Sequence, residues 1–261
     1  MLLSGVETGA FLNRNPVVMA EAADNHAATV FLTIKGPAGE KKLRAKGLAQ
    51  FDAFGRDGKY EISAYCIDKA GNVSATEGTY FIKDTVAPSI SLTGAKRNAY
   101  YSNKRKITAR VKDINYAGVT AKIETQKTLK RKKSPAKVSK IRPERFDYSK
   151  IYSYGVSGTY TVTLSAKDAA GNSARPVSLK FTVDIEKPVI KISGVKKING
   201  YSDKVTPKLE YEDSNPGKCS ISLKRVSGKS IEEILCKDTK GAYSGKRVYR
   251  DFAKERNLDD N

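Results

Sequence analysis

Apolar and polar side chains alternate with a period of two residues in several segments of the chain. Apolar residues occupy every second position of Tyr160–Ala166, and the same holds for Val177–Val183. Such alternation puts the apolar side chains on one face of an extended strand, so both segments are predicted to be half-buried β-strands. Equivalent strands are predicted at Tyr60–Cys66 and around Phe81. Because no long helical pattern competes with them, the predicted fold class is all-β.

The predicted strands belong to a unit that recurs after 100 residues. Every position of Gly58–Asn115 can be compared, without a gap, with the position 100 residues further on, and 17 of these 58 pairs are identical. A second match relates Ser4–Val6 to Ser193–Val195. We therefore predict tandem copies of one small domain, which is the organisation of spacers and binding stalks. The predicted copies are residues 1–85 (repeat 1), residues 86–185 (repeat 2) and residues 186–261 (repeat 3).

The first and last copies are expected to be incomplete. Repeat 1 begins opposite Ile190 and therefore lacks the start of its first strand. Repeat 3 has no clear counterpart of Gly158–Tyr160 or of the strands after it, so its last two strands are missing. We expect the chain to be a piece of a longer protein. Repeat 3 is expected to be its least stable part, because a sandwich without these strands cannot close its core.

Turn residues between the strands predict a two-sheet sandwich in each complete copy. Asp68–Asn72 and Asp168–Asn172 have the Asp, Gly and Asn residues of a tight connection between two strands. About seven short strands in about 100 residues are typical of such a sandwich. The linkers Phe81–Pro88 and Phe181–Pro188 are short, so we expect neighbouring repeats to be restrained.

The residues that the copies share resemble the bacterial immunoglobulin-like repeats of secreted and wall-attached surface proteins. They read Gly-x-Tyr, seven residues, Asp-x-Ala-Gly-Asn, then Phe-x-x-Asp-x-x-x-Pro-x-Ile, Tyr-Ser-x-Lys and Asp-x-Asn. Tyr60 and Tyr160 are similar to a tyrosine corner, in which the phenol bonds to the backbone upstream, although Arg56 and Val156 stand where that motif usually has Asp. The resemblance implies tandem immunoglobulin-like β-sandwich repeats, located outside the cell or on its surface. It implies an adhesive or spacing role without catalytic residues or cofactors.

Positive charge is concentrated in one part of repeat 2. The net charge is +20, and residues 125–145, here called the basic segment, contain nine basic residues and one acid, Glu144. The segment is predicted to be a loop between strands. Repeated cations bind polyanions by counterion release, so anionic wall polymers, nucleic acid or acidic glycans are candidate ligands. The alternative is a solvated hairpin whose charge maintains solubility. The candidate binding residues are Lys127, Lys130, Arg131, Lys132, Lys133, Lys137, Lys140 and Arg142.

Two of the three cysteines fit a cross-strand disulfide. A two-residue turn at Ser227–Gly228 would pair Cys219 with Cys236 and Ile221 with Ile234. Directly opposite side chains lie close enough for a disulfide, and two reduced cysteines are the alternative. The third cysteine, Cys66, aligns with Ala166 on an inward strand position and is predicted to lie in the core.

Motifs of enzymes and of usual metal sites are missing from the sequence. There is one histidine and no Cys-x-x-Cys, so a zinc site of the usual type is not expected. No apolar stretch approaches the roughly 18 residues of a membrane span, so no membrane insertion is expected. No recognised nucleic-acid motif accompanies the charge. Acids that recur near the predicted junctions are candidate calcium ligands, although Asp also forms turns: Asp84, Asp113, Asp184 and Asp213.

These features lead to three functional hypotheses. The first is a non-catalytic stalk or adhesion-type region of a bacterial surface or secreted protein, with wall polymers, glycans or host surface proteins as partners. The second is a module that binds polyanions or glycans through the basic segment. The third is an accessory region of a larger exported glycan-degrading enzyme, whose catalytic domain would lie outside this chain.

Overall fold

A computed structural model of the chain describes residues 1–23, 28–129, 132–193, 208–215, 221–224, 231–234 and 247–249. Within these residues the regular structure consists of β-strands and one short 3₁₀ turn, Tyr116–Gly118. The all-β prediction is therefore confirmed. The sheets fall into three groups along the chain, although the repeat boundaries themselves stay predictions.

Repeat 1 contains two sheets that face each other. The first has the strand order β1-β3-β6, and the second has the order β2-β8-β7-β4-β5. Neighbouring strands are antiparallel except β2 and β8, which run parallel. The strands are β1 (Leu2–Ser4), β2 (Ala10–Leu12), β3 (Val18–Glu21), β4 (Thr29–Gly36), β5 (Gly39–Lys46), β6 (Leu48–Phe51), β7 (Gly58–Ile67) and β8 (Glu77–Lys83).

Repeat 2 repeats this arrangement. One sheet has the order β9-β11-β15, and the other has the order β10-β17-β16-β12-β13 with β14 also paired to β12. As in repeat 1, a short early strand, β10, runs parallel to the last strand, β17. The strands are β9 (Ser89–Thr93), β10 (Tyr100–Tyr101), β11 (Arg105–Lys112), β12 (Thr120–Leu129), β13 (Lys132–Lys133), β14 (Lys137–Ile141), β15 (Asp147–Tyr154), β16 (Gly158–Lys167) and β17 (Val177–Val183).

The described part of repeat 3 contains a three-stranded sheet and a separate strand pair. The sheet has the order β18-β19-β22, and β20 pairs with β21. In that pair Ile221 lies opposite Ile234, which is the register that the sequence predicted. Cys219 and Cys236 lie outside the described residues, so their disulfide stays a prediction. The strands are β18 (Val189–Ser193), β19 (Lys208–Glu212), β20 (Ile221–Lys224), β21 (Ile231–Ile234) and β22 (Arg247–Tyr249).

The alternating apolar positions of the sequence build the cores of repeats 1 and 2. Val162 and Leu164 on β16 are fully buried, as are Phe181 on the neighbouring strand and Ile107 on the facing sheet. In repeat 1, Cys66 lies on the buried face of β7, as predicted. The side chains between these positions point toward solvent, because successive side chains of a strand point to opposite faces.

A tyrosine corner closes each of these two cores. The Tyr160 hydroxyl donates to the Val156 carbonyl at 2.7 Å, and the Tyr60 hydroxyl donates to the Arg56 carbonyl at 2.8 Å. The acceptor is a backbone carbonyl, so the bond forms although neither position carries the Asp of the usual motif. The Tyr160 ring also stacks on Phe181, with 5.6 Å between the ring centroids. The corner therefore joins the connection before β16 to the core.

Replacing Tyr160 by Phe tests the strength of this corner. The change removes the bond to Val156 and keeps the ring, so we expect the opening free energy of repeat 2 to fall by about 1 kcal/mol. Hydrogen exchange of the β16 and β17 amides measures that quantity. Tyr100→Phe is the control, since Tyr100 is 67% exposed and its hydroxyl can bond to water in either state. Equal exchange in the two variants would contradict the role of the corner.

Candidate functional site

The basic segment is not the loop that the sequence predicted. Most of its described residues lie in strands, because β12 runs on to Leu129 and β13 and β14 return along it. Their backbone groups pair with β12, which itself pairs with β16 over nine residues from Thr120 to Thr128. A charged sequence can therefore extend a sheet whenever a neighbouring strand satisfies its backbone. Lys130 and Arg131 lie outside the described residues.

The cations of the basic segment are divided between two faces of the sheet. Ala121 and Ile123 are buried, so the odd positions of β12 face the core and the even positions face outward. Lys127 is on the inward row, half-buried, with its Nζ 6.0 Å from the centroid of the Tyr160 ring. Lys140 lies opposite the outward residue Lys122. The candidate residues consequently do not form one binding surface.

Three lysines of β12, β13 and β14 share the outward face, here called the basic face: Lys122, Lys133 and Lys140. Lys180 joins them from β17, where it lies opposite the outward residue Thr161. The acid on the described strands of this face is Glu124, which Lys122 contacts at 3.2 Å. Sequence analysis missed Lys122 and Lys180, because they lie outside the segment that the charge count singled out. The strand register brings them to the same surface.

The equivalent edge strand of repeat 1, β5, is also basic, but its cations are partly engaged. Lys42 contacts Glu40 at 2.9 Å. Arg44 lies over the ring of Phe31, 5.5 Å from its centroid, and that ring stacks on Tyr65. Lysines on edge strands also discourage pairing with other chains. The basic face of repeat 2 is thus the stronger candidate for binding an anion.

A second site lies where repeat 1 meets repeat 2. Asp84 is 2% exposed, and its Oδ1 accepts a bond from the Val86 backbone N–H at 3.1 Å. Its Oδ2 accepts a bond from Asn115 Nδ2 at 2.6 Å, and its backbone carbonyl accepts one from Asn172 Nδ2 at 2.8 Å. Both asparagines belong to loops of repeat 2. The last residues of repeat 1 are therefore bonded directly to its neighbour.

Calcium binding at the junctions stays a prediction. The described residues contain no group of three or more His, Cys, Asp or Glu side chains arranged to hold a metal ion. Amide groups instead contact the candidate oxygens: Asn115 and Asn215 each donate a backbone bond, to Asp113 and Asp213 respectively, at 2.7 Å. These contacts give the acids a structural role that requires no cation.

Asp113 is nevertheless held in an unfavourable environment. Burial raises the pKa of its carboxyl, and the negative charges of Asp84 and Asp168 raise this pKa further, against the lowering effect of the Asn115 backbone bond. Ionisation of Asp113 is thus less favourable in the folded protein than in the unfolded chain. Asp147 shows the reverse, because bonds from Arg110 and Lys112 lower the pKa of its carboxyl.

Asp113→Asn is expected to stabilise repeat 2 at neutral pH. The new side chain can still accept the bond from Asn115, and it carries no charge toward Asp84 or Asp168. Above its raised folded-state pKa, the charged Asp113 carboxylate lowers the free energy of unfolding. This destabilisation disappears below the unfolded-state pKa of about 3.9, because the carboxyl is then protonated in both states. The gain in urea midpoint should therefore vanish as the pH falls through this range.

The contrasting variant is Asp147→Asn, whose carboxylate is stabilised by cations. It should lower the urea midpoint at neutral pH. This decrease should vanish in acid, because the Asp147 carboxyl with its lowered pKa stabilises the fold only at pH values above that pKa. A lower midpoint for Asp113→Asn at pH 7 would contradict the repulsion among the three acids.

A comparison with protein families finds a match that covers most of repeat 2. Residues 105–183 match the model of the Internalin K domain (D3/D4), from the first residue of β11 to the last of β17. The match supports the predicted resemblance to bacterial immunoglobulin-like surface domains. None of the curated proteins matches the sequence. Among the described residues, no helix is long and apolar enough to cross a membrane.

Two solved structures are similar over about two thirds of the chain. The fibronectin(III)-like modules of Clostridium thermocellum CbhA are 17% identical with a TM-score of 0.31, covering 70% of this chain and 93% of that chain. The FN1–FN3 domains of chicken CNTN1 are 13% identical with a TM-score of 0.32, covering 69% of this chain and 65% of that chain.

Proposed function

We propose that this chain is a non-catalytic stalk or adhesion-type region of a bacterial surface or secreted protein. The observation that carries the proposal is the head-to-tail junction of repeats 1 and 2, in which the end of one sandwich is bonded to the loops of the next. The match of residues 105–183 to the Internalin K domain supports a surface location.

The path of the chain through repeat 2 suits a spacer. The chain enters β9 just after the linker that contains Asp84 and leaves β17 at the next linker, where Asp184 is bonded to Asn215 of repeat 3. The first linker is thus bonded to repeat 2, and the second linker is bonded to repeat 3. A strand such as β16, with 10 residues, has a length of about 33 Å at the usual rise per residue. Each added repeat therefore lengthens the array by a distance of this order.

Surface exposure of the chain is the test of the stalk proposal. Antibodies against residues 86–185 should label intact cells of the source organism, and brief protease treatment of those cells should remove the label. An antibody against a cytoplasmic protein, which should label permeabilised cells only, is the control. Labelling by the first antibody only after permeabilisation would contradict the proposal.

We propose polyanion binding through the basic face as a second function. The observation that favours it is that Lys122 and Lys140 lie directly opposite each other. Like charges in directly opposite positions destabilise a strand pair, and Glu124 is the one acid on the described strands of this face that offsets them. Lys133 and Lys180 extend the positive charge over the same face, and the hydroxyl groups of Thr161 and Thr163 lie between them. A linear polymer with regularly spaced negative charges fits such a surface, because its binding requires no fixed sequence.

Charge neutralisation tests this second function. The triple variant Lys122→Gln, Lys133→Gln and Lys140→Gln should bind polyphosphate or heparin about tenfold or more weakly, with a smaller salt dependence. The matched control removes three exposed charges elsewhere: Lys69→Gln, Lys96→Gln and Lys187→Gln. Equal weakening in both variants would show a net-charge effect without a site. Wild-type binding that persists at about 0.5 M salt would also contradict the proposal.

A further inference from the structure

The linker after repeat 1 is fixed to that repeat. The Thr85 backbone N–H and hydroxyl both donate to Asp57 Oδ2 at 2.8 Å. Lys83 Nζ donates to the carbonyls of Phe54 and Gly55 at 2.7 and 2.8 Å. Asp57 lies in the connection that the Tyr60 corner holds, so the direction in which the linker leaves repeat 1 is set by its core.

The same linker is also fixed to repeat 2. The Asn172 side chain is held by Asp168, since its backbone N–H donates to Oδ1 at 2.8 Å and its Nδ2 donates to Oδ2 at 2.7 Å. Nδ2 has a second hydrogen, and it donates to the Asp84 carbonyl. Gly171 packs beside the junction, where an added Cβ would lie 3.6 Å from Asn13 of repeat 1. Two loops of repeat 2 therefore contact the end of repeat 1.

The junction between repeats 2 and 3 has counterparts of the bonds made by Asn115, Val86 and Thr85, 100 residues further on. Asn215 Nδ2 donates to Asp184 Oδ2 at 2.7 Å, and the Glu186 backbone N–H donates to Asp184 Oδ1 at 3.2 Å. The Ile185 backbone N–H donates to Ser157 Oγ at 3.1 Å, in the place of the bond from Thr85 to Asp57. The geometry therefore belongs to the shared sequence and is not peculiar to one junction.

We infer that the Asp-x-x-x-Pro linker and the Asp-x-Asn loop form a joint that locks successive repeats in one orientation. Rotation of repeat 2 against repeat 1 would remove the Asn115 and Asn172 donors, so Asp84 Oδ2 and the Asp84 carbonyl would lose the bonds that satisfy them. Domains joined by a linker ordinarily move relative to each other unless an interface prevents it. This inference concerns the orientation of neighbouring repeats and does not depend on where in or outside the cell the protein is located.

Residual dipolar couplings of the full chain test the joint. Couplings from the β-strand amides of repeats 1 and 2 should fit a single alignment tensor in the wild type. In the double variant Asn115→Ala and Asn172→Ala, each repeat should require its own tensor, of different magnitude. Neither change removes a core side chain, and unchanged strand chemical shifts would show that both repeats remain folded.

Two controls separate the joint from its surroundings. Asn72→Ala removes the same loop contact within repeat 1, where the described bonds of Asn72 go to Asp68, and it should keep the common tensor. Asn215→Ala alters the next junction and should leave repeats 1 and 2 coupled. Different tensors in the wild type, or a common tensor in the double variant, would overturn the inference. Surface labelling of cells is a separate readout, so loss of the joint and absence of the chain from the cell surface are distinguishable.

Discussion

A buried carboxylate requires hydrogen-bond donors, and this requirement couples the repeats of the chain. Asp84 receives one donor from its own linker and another from Asn115 in the following repeat. Its position is set from the other side as well, because the Tyr60 corner holds the connection in which Asp57 binds the linker. A continuous series of contacts thus runs from the core of repeat 1 to the loops of repeat 2. The direction of the linker and the placement of the next repeat therefore both depend on that core.

The fold was predictable because its main determinants are periodic in the sequence. Alternation of apolar residues identifies β16 and β17, since only one face of each strand meets the core. The turn at Asp168–Asn172 was predictable for a related reason: Gly171 has a φ of 98°, which glycine adopts at little cost. The pairing of Ile221 with Ile234 followed from the predicted two-residue turn at Ser227–Gly228. Each of these features depends on residues that are near one another along the chain.

The candidate sites were less predictable because they combine residues that are distant in sequence. Counting charges found the basic segment, but it could not show that Lys127 faces inward while Lys122 and Lys180 share the outward surface. That distinction depends on the strand register across three strands. The sequence likewise showed that Asp84 and Asn115 recur after 100 residues, but it did not predict that they are bonded to each other. Their bond joins two separate repeats, and no local pattern connects an acid in a linker with an amide in the next domain.

The two sites differ in what they mean for an array of such domains. The joint uses residues that recur at a period of 100, so each added repeat brings both an acid and the amide that receives its predecessor. The basic face depends on residues that the repeats do not share: Glu61 of repeat 1 aligns with Thr161, and Tyr80 aligns with Lys180. A surface of this kind can change in one repeat without altering the geometry of the array. Fixed joints would then determine where such a surface is held, while the exposed residues of each repeat determine what it contacts.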